Sequence, residues 1–285
     1  MPAAPCVDPD WNEVWRARQR LHASSQVSDD PGHDWNRREN AARYDANSRG
    51  EYDDRVRLTL AGLDLDPGMR VLDIGSGPGT LAIPLAPRVK EVAAVEPGAG
   101  MVAVLQERAA REGIANIACI PKRWEDVDTR GDLAPPYDLV IASLSLTMED
   151  IRAAIEKMNA VSRRDVCLYW FADMPFWERM YADLWQPLHG LPYHPGPKAD
   201  CLFAVLFQMG IYANVEMLPL GKEYRFADAG EMLTFFFRRF DAKTPAQQEV
   251  VRGYLAPMIR EDDGGIIISG DSTFAKIWWR KAAGP

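Results

Sequence analysis

The stretch RVLDIGSGPGTLAIPLA, residues 70–86, decides the fold of this chain. It opens with an apolar run that reaches Asp73, continues with glycines at 75, 77 and 79, and closes with a second, helix-like apolar run. A strand, a glycine-rich turn and a helix in this order typically begin a βαβ unit. Glycine permits positive φ and a close approach of the backbone to a ligand. The turn is therefore predicted to lie against a bound molecule.

Strand and helix patterns alternate along most of the chain. Helices are predicted at 80–89, 100–114, 149–162 and 244–261, and a loop at 24–34. Strands are predicted at 70–76, 91–97, 117–122, 137–146, 165–173, 214–226 and 265–281. This alternation predicts an α/β fold with a Rossmann-like, doubly wound, mostly parallel seven-stranded sheet.

Three segments are predicted around this sheet. We expect a helical N-terminal lid and substrate-recognition segment at 1–62 and a cofactor-binding core at 63–173. Residues 174–285 are expected to complete the sheet and to add helical insertions that cap the substrate.

The glycine spacing helps to distinguish the cofactors that such a fold binds. A dinucleotide site needs G-x-G-x-x-G, but Thr80 stands three residues after Gly77, so a nicotinamide-dependent oxidoreductase is disfavoured. Glu96 ends the next predicted strand, 21 residues after Gly75, where a carboxylate can accept hydrogen bonds from a ribose diol. The alternative for Glu96 is a helix cap or a solvated strand end.

The segments VLDIGSGPGTLAIPLA, VAAVEPGAGMV, PKRWEDV and YDLVIASLSL together resemble the class I S-adenosylmethionine-dependent methyltransferases. The resemblance is close over residues 70–146, and the order of elements agrees through residue 173. It implies S-adenosylmethionine as cofactor and S-adenosylhomocysteine as product. It also implies a cofactor site formed by Tyr44, Asp73, Gly75, Ser76, Gly77, Gly79, Glu96, Pro97, Met101, Arg123, Trp124, Glu125, Ser143 and Leu144.

The resemblance also implies individual roles. Asp73 is expected near the amino-acid end of the cofactor, Glu96 at the ribose hydroxyls and Met101 against the adenine. The 123–125 segment is expected to form the adenine wall, and the backbone at 143–144 to face the methionine moiety. A small residue often stands where this chain has Trp124, so Trp124 either stacks near the adenine or belongs to the core.

Methyl transfer places few chemical demands on the protein. The cofactor supplies the leaving group, so the protein mainly positions the acceptor, and a base is required only if the acceptor must lose a proton. His189, His194 and Asp173 are the candidate general bases; the alternatives are ordinary loop histidines and a helix cap. No metal is expected, because the histidine pair lacks a third ligand.

Composition bears on the partners. The net charge of −8 and the pI of about 5.1 disfavour a nucleic-acid partner. Aromatic residues crowd the N-terminal segment and residues 169–193, which suits a small acceptor of aromatic or apolar character, although core packing also explains them. RNA or protein methylation and non-catalytic cofactor binding stay open as alternatives.

Cysteine spacing and hydropathy complete the expectations. The four cysteines form no CxxC pair, and no apolar stretch reaches the length of a membrane span, so we expect a cytoplasmic protein without membrane contact. The oligomeric state stays open between monomer and homodimer. An N-terminal segment that moves as a lid is a further hypothesis.

Overall fold

The computed structural model describes residues 9–25, 34–51 and 53–281. Within them a central sheet is flanked by helices on both faces, as the alternating pattern predicts. The strands are β1 Arg70–Ile74, β2 Glu91–Val95, β3 Ile117–Ile120, β4 Tyr137–Ser143, β5 Ser162–Phe171, β6 Asn214–Phe226, β7 Arg260–Asp262 and β8 Gly265–Arg280. The helices are α1 Trp11–Ser24, α2 Arg38–Glu51, α3 Asp53–Ala61, α4 Ala82–Leu85, α5 Ala99–Arg111, α6 Ile151–Val161, α7 Phe176–His189, α8 Ala199–Gln208, α9 Ala229–Arg239 and α10 Pro245–Leu255.

The strand order in the sheet is β3-β2-β1-β4-β5-β8-β6, and β7 pairs with β8. Strands β1 to β5 are parallel to one another, whereas β8 is antiparallel to both β5 and β6. The order reverses at β1, which lies between β2 and β4. In open α/β sheets ligands bind at the carboxyl ends of the strands beside such a reversal. The topology therefore points to the turn that follows β1.

Two apolar layers enclose the sheet. One contains Trp15 of α1 and Leu202 of α8, and the other contains Leu60 of α3 and Leu105 of α5. β1 is buried from Val71 to Ile74 because helices cover both of its faces. This double cover explains why the strand is continuously apolar up to Asp73.

The last two long strands extend beyond the rest of the sheet. β5 ends at Phe171, which pairs with Phe274, but β6 and β8 continue as a pair to Phe226 and Ile266. Helices α7, α9 and α10 pack on this extension around a third apolar cluster that includes Phe236. The C-terminal helical insertions thus stand past the carboxyl end of β5.

Two helices are shorter than expected from the sequence, and the sheet has one strand more. The helix expected at 80–89 is limited to α4 and a 3₁₀ turn at 86–88, because Pro87 has no N–H for a helical hydrogen bond. The helix expected at 244–261 ends at Leu255, shortly before Pro257, and β7 follows. The sheet of the described residues therefore has eight strands, where seven are predicted. The predicted loop at 24–34 lies almost entirely outside the described residues.

No helix among the described residues is long and apolar enough to cross a membrane.

Candidate functional site

A cavity of about 380 Å³ lies at the carboxyl ends of β1, β2 and β4. Its volume falls within the range of roughly 300–1,000 Å³ that small-molecule sites occupy. All of the cofactor-binding residues predicted from the sequence line it, except Gly79: Tyr44, Asp73, Gly75, Ser76, Gly77, Glu96, Pro97, Met101, Arg123, Trp124, Glu125, Ser143 and Leu144. The fold thus gathers residues that are distant along the chain around one space.

The glycine turn is shaped by close contacts. A Cβ atom at Gly75 would lie 2.3 Å from the Cβ of Ser145, so no larger residue fits there without displacing the loop after β4. The Ser145 hydroxyl donates to the Ile74 carbonyl at 2.6 Å, which ties the two strand ends together. Gly77 has φ of +55°, and a Cβ atom added there would have no neighbour within 4 Å, so its surroundings are open. The turn therefore presents bare backbone to the cavity.

Glu96 holds the turn from the neighbouring strand. One carboxylate oxygen accepts from the Gly77 N–H at 3.0 Å and the other from the Gly98 N–H at 2.8 Å. Burial raises the pKa of Glu96, and these two hydrogen bonds oppose the rise. Each carboxylate oxygen has a second lone-pair site, so the group retains capacity to accept from a ligand hydroxyl.

Asp73 forms a second, more deeply buried carboxylate in the cavity wall. It is 2% exposed, and its Oδ2 has no hydrogen-bond partner among the described residues. Burial, and then the charge of Glu96, raise the pKa of Asp73 to about 7, while Arg55 acts in the opposite direction. The Ser76 hydroxyl likewise lacks a partner among the residues that the structure describes. Buried polar groups in folded proteins are normally satisfied, so a polar ligand fits this end of the cavity.

Arg55 is a functional candidate that the sequence analysis missed. It lies on α3, is 5% exposed, and donates through Nη1 to the Ser143 hydroxyl at 2.7 Å. Its charge acts on Asp73, so a cation and an anion stand together in the cavity wall. In the sequence, Arg55 and Arg57 stand in one polar helix and nothing distinguishes them. Only the tertiary contact with Ser143, the last residue of β4, distinguishes Arg55.

The opposite wall is aromatic and comes from the N-terminal segment. Trp35 and Tyr44 meet edge to face with ring centroids 5.4 Å apart, and Met101 lies in the same apolar cluster. The Trp35 carbonyl accepts from the Gly100 N–H at 3.1 Å, which attaches this segment to the start of α5. Trp35, like Ser145, Thr147 and Met148, lines the cavity without having been predicted.

Trp124 lies between the cavity and the core, and its stacking on the adenine stays a prediction. It lines the cavity, yet it is 2% exposed and its indole N–H donates to the Ala154 carbonyl at 3.1 Å. Arg123 and Glu125 form an ion pair of 2.9 Å beside it, at the more exposed rim. Leu144 has φ of +56°, a conformation that costs a non-glycine residue free energy and is often found at ligand sites.

Gly79 and the three candidate general bases lie elsewhere. Gly79 packs against α5, where a Cβ atom would lie 3.0 Å from Leu105. His189 contacts the Phe240 carbonyl at 3.1 Å and the Trp185 ring at 4.4 Å, within the C-terminal cluster. The backbone of His194 bonds to Ser25 and to the ring of His22, and Asp173 is exposed after β5. The structure does not place any of these three bases in the cavity wall, and their catalytic role stays a prediction.

The described residues contain no group of three or more histidine, cysteine, aspartate or glutamate side chains arranged to hold a metal ion.

Comparison with known proteins identifies the core. Residues 71–165 match the family model described as "Methyltransferase domain". An uncharacterized protein of Haemophilus influenzae is 30% identical over 160 residues, which are 56% of this chain and 57% of that protein. The 23S rRNA (uracil(1939)-C(5))-methyltransferase RlmD of Klebsiella pneumoniae is 40% identical over 75 residues, which are 26% of this chain and 17% of that protein. The chain thus spans little more than half of the first relative's length.

A solved structure extends the likeness in fold. The YcgJ protein of Bacillus subtilis superposes with a TM-score of 0.53 at 16% identity, covering 80% of this chain and 98% of that chain. The Rossmann-like α/β architecture predicted from the sequence is confirmed. The match of residues 71–165 to a methyltransferase-domain model agrees with the resemblance to the class I S-adenosylmethionine-dependent methyltransferases seen in the sequence.

Proposed function

We propose that this methyltransferase-domain chain binds S-adenosylmethionine in the cavity and transfers its methyl group to a small acceptor of aromatic or apolar character. The observation that carries the proposal is the cavity itself. Bare glycine backbone and two buried carboxylates converge there with one buried arginine, in a space of about 380 Å³. These groups match a ligand that has a sugar diol, an ammonium group, a carboxylate and an apolar base.

Each part of the cavity suits one part of this ligand. Glu96 is placed to accept from ribose hydroxyls, and Trp35, Tyr44 and Met101 offer apolar surface to the adenine. At the other end Asp73 is suited to an ammonium group, and Arg55 to a carboxylate, because guanidinium and carboxylate form strong charge-assisted hydrogen bonds. The ligand's charges would thereby complement the charges buried in the cavity wall.

When bound, the cofactor would supply an electrophilic methyl group attached to a sulfonium sulfur. The acceptor's lone pair would attack the methyl carbon in line with the carbon–sulfur bond, and the sulfur would leave as a neutral thioether. The protein's contribution is to align the acceptor with the methyl carbon and to exclude water. The burial of Asp73 and Arg55 fixes the amino-acid end of the ligand, and Glu96 fixes the sugar. A proton lost by the acceptor requires a base or a water molecule.

The C-terminal part supports an acceptor-binding role for residues 174–285. Helices α7, α9 and α10 stand on the extension of β6 and β8 beyond the carboxyl end of β5, at the same edge of the sheet as the cavity. Phe171 and Trp177 meet edge to face at 5.3 Å where this part joins the core. We therefore assign acceptor recognition to this part and to the N-terminal segment. Residues 63–173 form most of the cofactor site, and Trp35, Tyr44 and Arg55 of the N-terminal segment complete it.

A second candidate function is methylation of RNA. It is favoured by the sequence likeness to the RlmD enzyme of Klebsiella pneumoniae, whose name gives 23S rRNA as its substrate. The net charge of −8 opposes it, because phosphate backbones are repelled by an acidic surface.

Isothermal titration tests the cofactor. We expect S-adenosylmethionine and S-adenosylhomocysteine to bind wild-type protein with micromolar affinity, Glu96→Ala to abolish this binding, and NADH not to bind. Absence of binding by both sulfur ligands, or clear binding of NADH, would refute the proposal. Release of S-adenosylhomocysteine with a panel of aromatic small molecules and with ribosomal RNA then separates the two acceptor classes.

A further inference from the structure

We propose that Arg108 is a positioning residue that couples helix α2 to the glycine turn, so that ligand binding and the docking of α2 stabilise each other. The Arg108 Nη1 atom donates to Asp45 Oδ1 at 2.7 Å and to the Pro78 carbonyl at 3.2 Å. Asp45 belongs to α2, and Pro78 to the turn after β1. One guanidinium therefore joins two walls of the cavity. The inference rests on the proposed function, because it concerns the same cavity.

The ion pair between Arg108 and Asp45 is largely shielded from solvent. The Arg108 side chain is 13% exposed and that of Asp45 is 4% exposed. Replacing one member of a buried pair takes a partner from the remaining buried charge and weakens the local contact. The same two helices also carry the pair between Arg38 and Glu107, whose side chains are 59% and 43% exposed. Exposed pairs contribute little, so Arg38 offers a matched control.

The contact with Pro78 reaches the turn at a specific point. Pro78 lies between two glycines of positive φ, Gly77 and Gly79, and a proline has no N–H of its own. Glu96 fixes the turn at the Gly77 N–H, and Arg108 fixes it at the next carbonyl along the chain. The turn is thus held between β2 on one side and α5 on the other.

The contact with Asp45 reaches the aromatic wall. Tyr44 is the neighbour of Asp45 on α2 and lines the cavity. A ligand that contacts both Tyr44 and the turn is bound best when both are in place. Coupling between two such elements is reciprocal: if docked α2 strengthens ligand binding, the ligand strengthens the docking of α2 by the same factor.

Hydrogen–deuterium exchange tests the inference without a ligand. In the unliganded protein we expect Arg108→Met to speed the exchange of the segment 75–80 roughly tenfold or more, because the turn loses its side-chain attachment to α5. Arg38→Met is expected to leave that exchange unchanged. Equal exchange of the turn in the two variants would overturn the inference.

The same measurement with S-adenosylhomocysteine tests the coupling. In wild-type protein we expect the ligand to slow exchange in both the turn and residues 38–46, and in Arg108→Met to slow it less in residues 38–46 than it does in wild-type protein. We expect the dissociation constant to rise about tenfold in Arg108→Met and to change less than about twofold in Arg38→Met. Undiminished protection of residues 38–46 in Arg108→Met would overturn the inference.

A third variant shows whether the effect of Arg108→Met comes from misfolding. Asp45→Ala breaks the same connection from α2, and it is expected to remove the ligand-induced protection of residues 38–46 while circular dichroism stays unchanged. If wild-type protein fails to bind S-adenosylhomocysteine, the proposed function fails, and the unliganded exchange comparison still decides the role of Arg108.

Discussion

The Glu96 carboxylate accepts a hydrogen bond from the Gly77 N–H at 3.0 Å, across two adjacent parallel strands. This contact links the acidic residue at the end of β2 to the glycine turn that follows β1. The two features that the sequence suggests for cofactor binding are therefore one structural unit. A ligand that reaches the Glu96 carboxylate necessarily lies against the turn.

Replacing Glu96 with glutamine tests this unit. The amide nitrogen of Glu96→Gln would face a backbone N–H, and an unsatisfied buried donor costs about 1–3 kcal/mol. We expect S-adenosylhomocysteine to bind at least tenfold more weakly by isothermal titration. Glu249→Gln, at a side chain that is 79% exposed on α10, serves as the control and is expected to bind like wild type. Equal affinity of the two variants would contradict the role of Glu96.

Arg55 and Arg57 form a matched pair on α3. Arg55 is buried against Ser143, whereas Arg57 is 68% exposed and pairs with Asp54 at 3.0 Å. We expect Arg55→Met to weaken S-adenosylhomocysteine binding tenfold or more, which is about 1.4 kcal/mol, because the ligand carboxylate loses its cationic partner. Arg57→Met should bind like the wild type in the same titration. Similar losses in both variants would point to a non-specific effect of charge.

Alanine at Gly79 separates backbone strain from steric overlap. Gly79 and Gly113 have φ of +83° and +68°, and a non-glycine residue there costs on the order of 1–3 kcal/mol. At Gly79 the added Cβ also meets Ile83 at 2.8 Å, whereas at Gly113 nothing lies within 4 Å. In urea unfolding we expect Gly79→Ala to lose roughly 1–3 kcal/mol more than Gly113→Ala, the usual cost of overpacking. Equal losses in the free energy of unfolding would show that α4 and α5 shift to accommodate the added Cβ atom.

The raised pKa of Asp73 predicts a dependence of stability on pH. Burial, and then the charge of Glu96, raise this pKa to about 7, whereas the unfolded chain releases the proton near its ordinary value of 3.8. Between these two pKa values the folded state binds more protons than the unfolded state, so the free energy of unfolding falls as pH rises toward 7. Burial raises the pKa of Glu96 as well, and this adds to the same trend.

Asp73→Asn isolates the contribution of Asp73. Its free energy of unfolding, measured in urea at pH 5, 6 and 7, should fall less steeply with pH than that of the wild type. The remaining slope belongs to Glu96 and other groups. A slope identical to that of the wild type would mean that Asp73 ionises normally in the folded protein.

The sequence does not predict contacts between residues that are far apart along the chain. Arg55 and Ser143 are 88 residues apart in sequence, and Arg108 and Asp45 are 63 residues apart. Neither hydrogen bond can be recognised from the residues near either partner. His189 and His194 are general-base candidates on residue type alone. Their contacts in the structure are with Phe240, Ser25 and His22. Residue chemistry alone does not indicate which side of a helix or loop faces a cavity.

Local signals, by contrast, were sufficient for the core. The strand at 70–74, the glycine turn after it and the strand that leads to Glu96 follow from side-chain periodicity and from steric limits on φ, which act over a few residues. The sequence by itself therefore determined the Rossmann-like α/β fold and the place of the cofactor cavity at its switch point. The tertiary structure alone decided which polar side chains complete that cavity, because burial and ion pairing depend on how α2, α3 and α5 pack against the sheet.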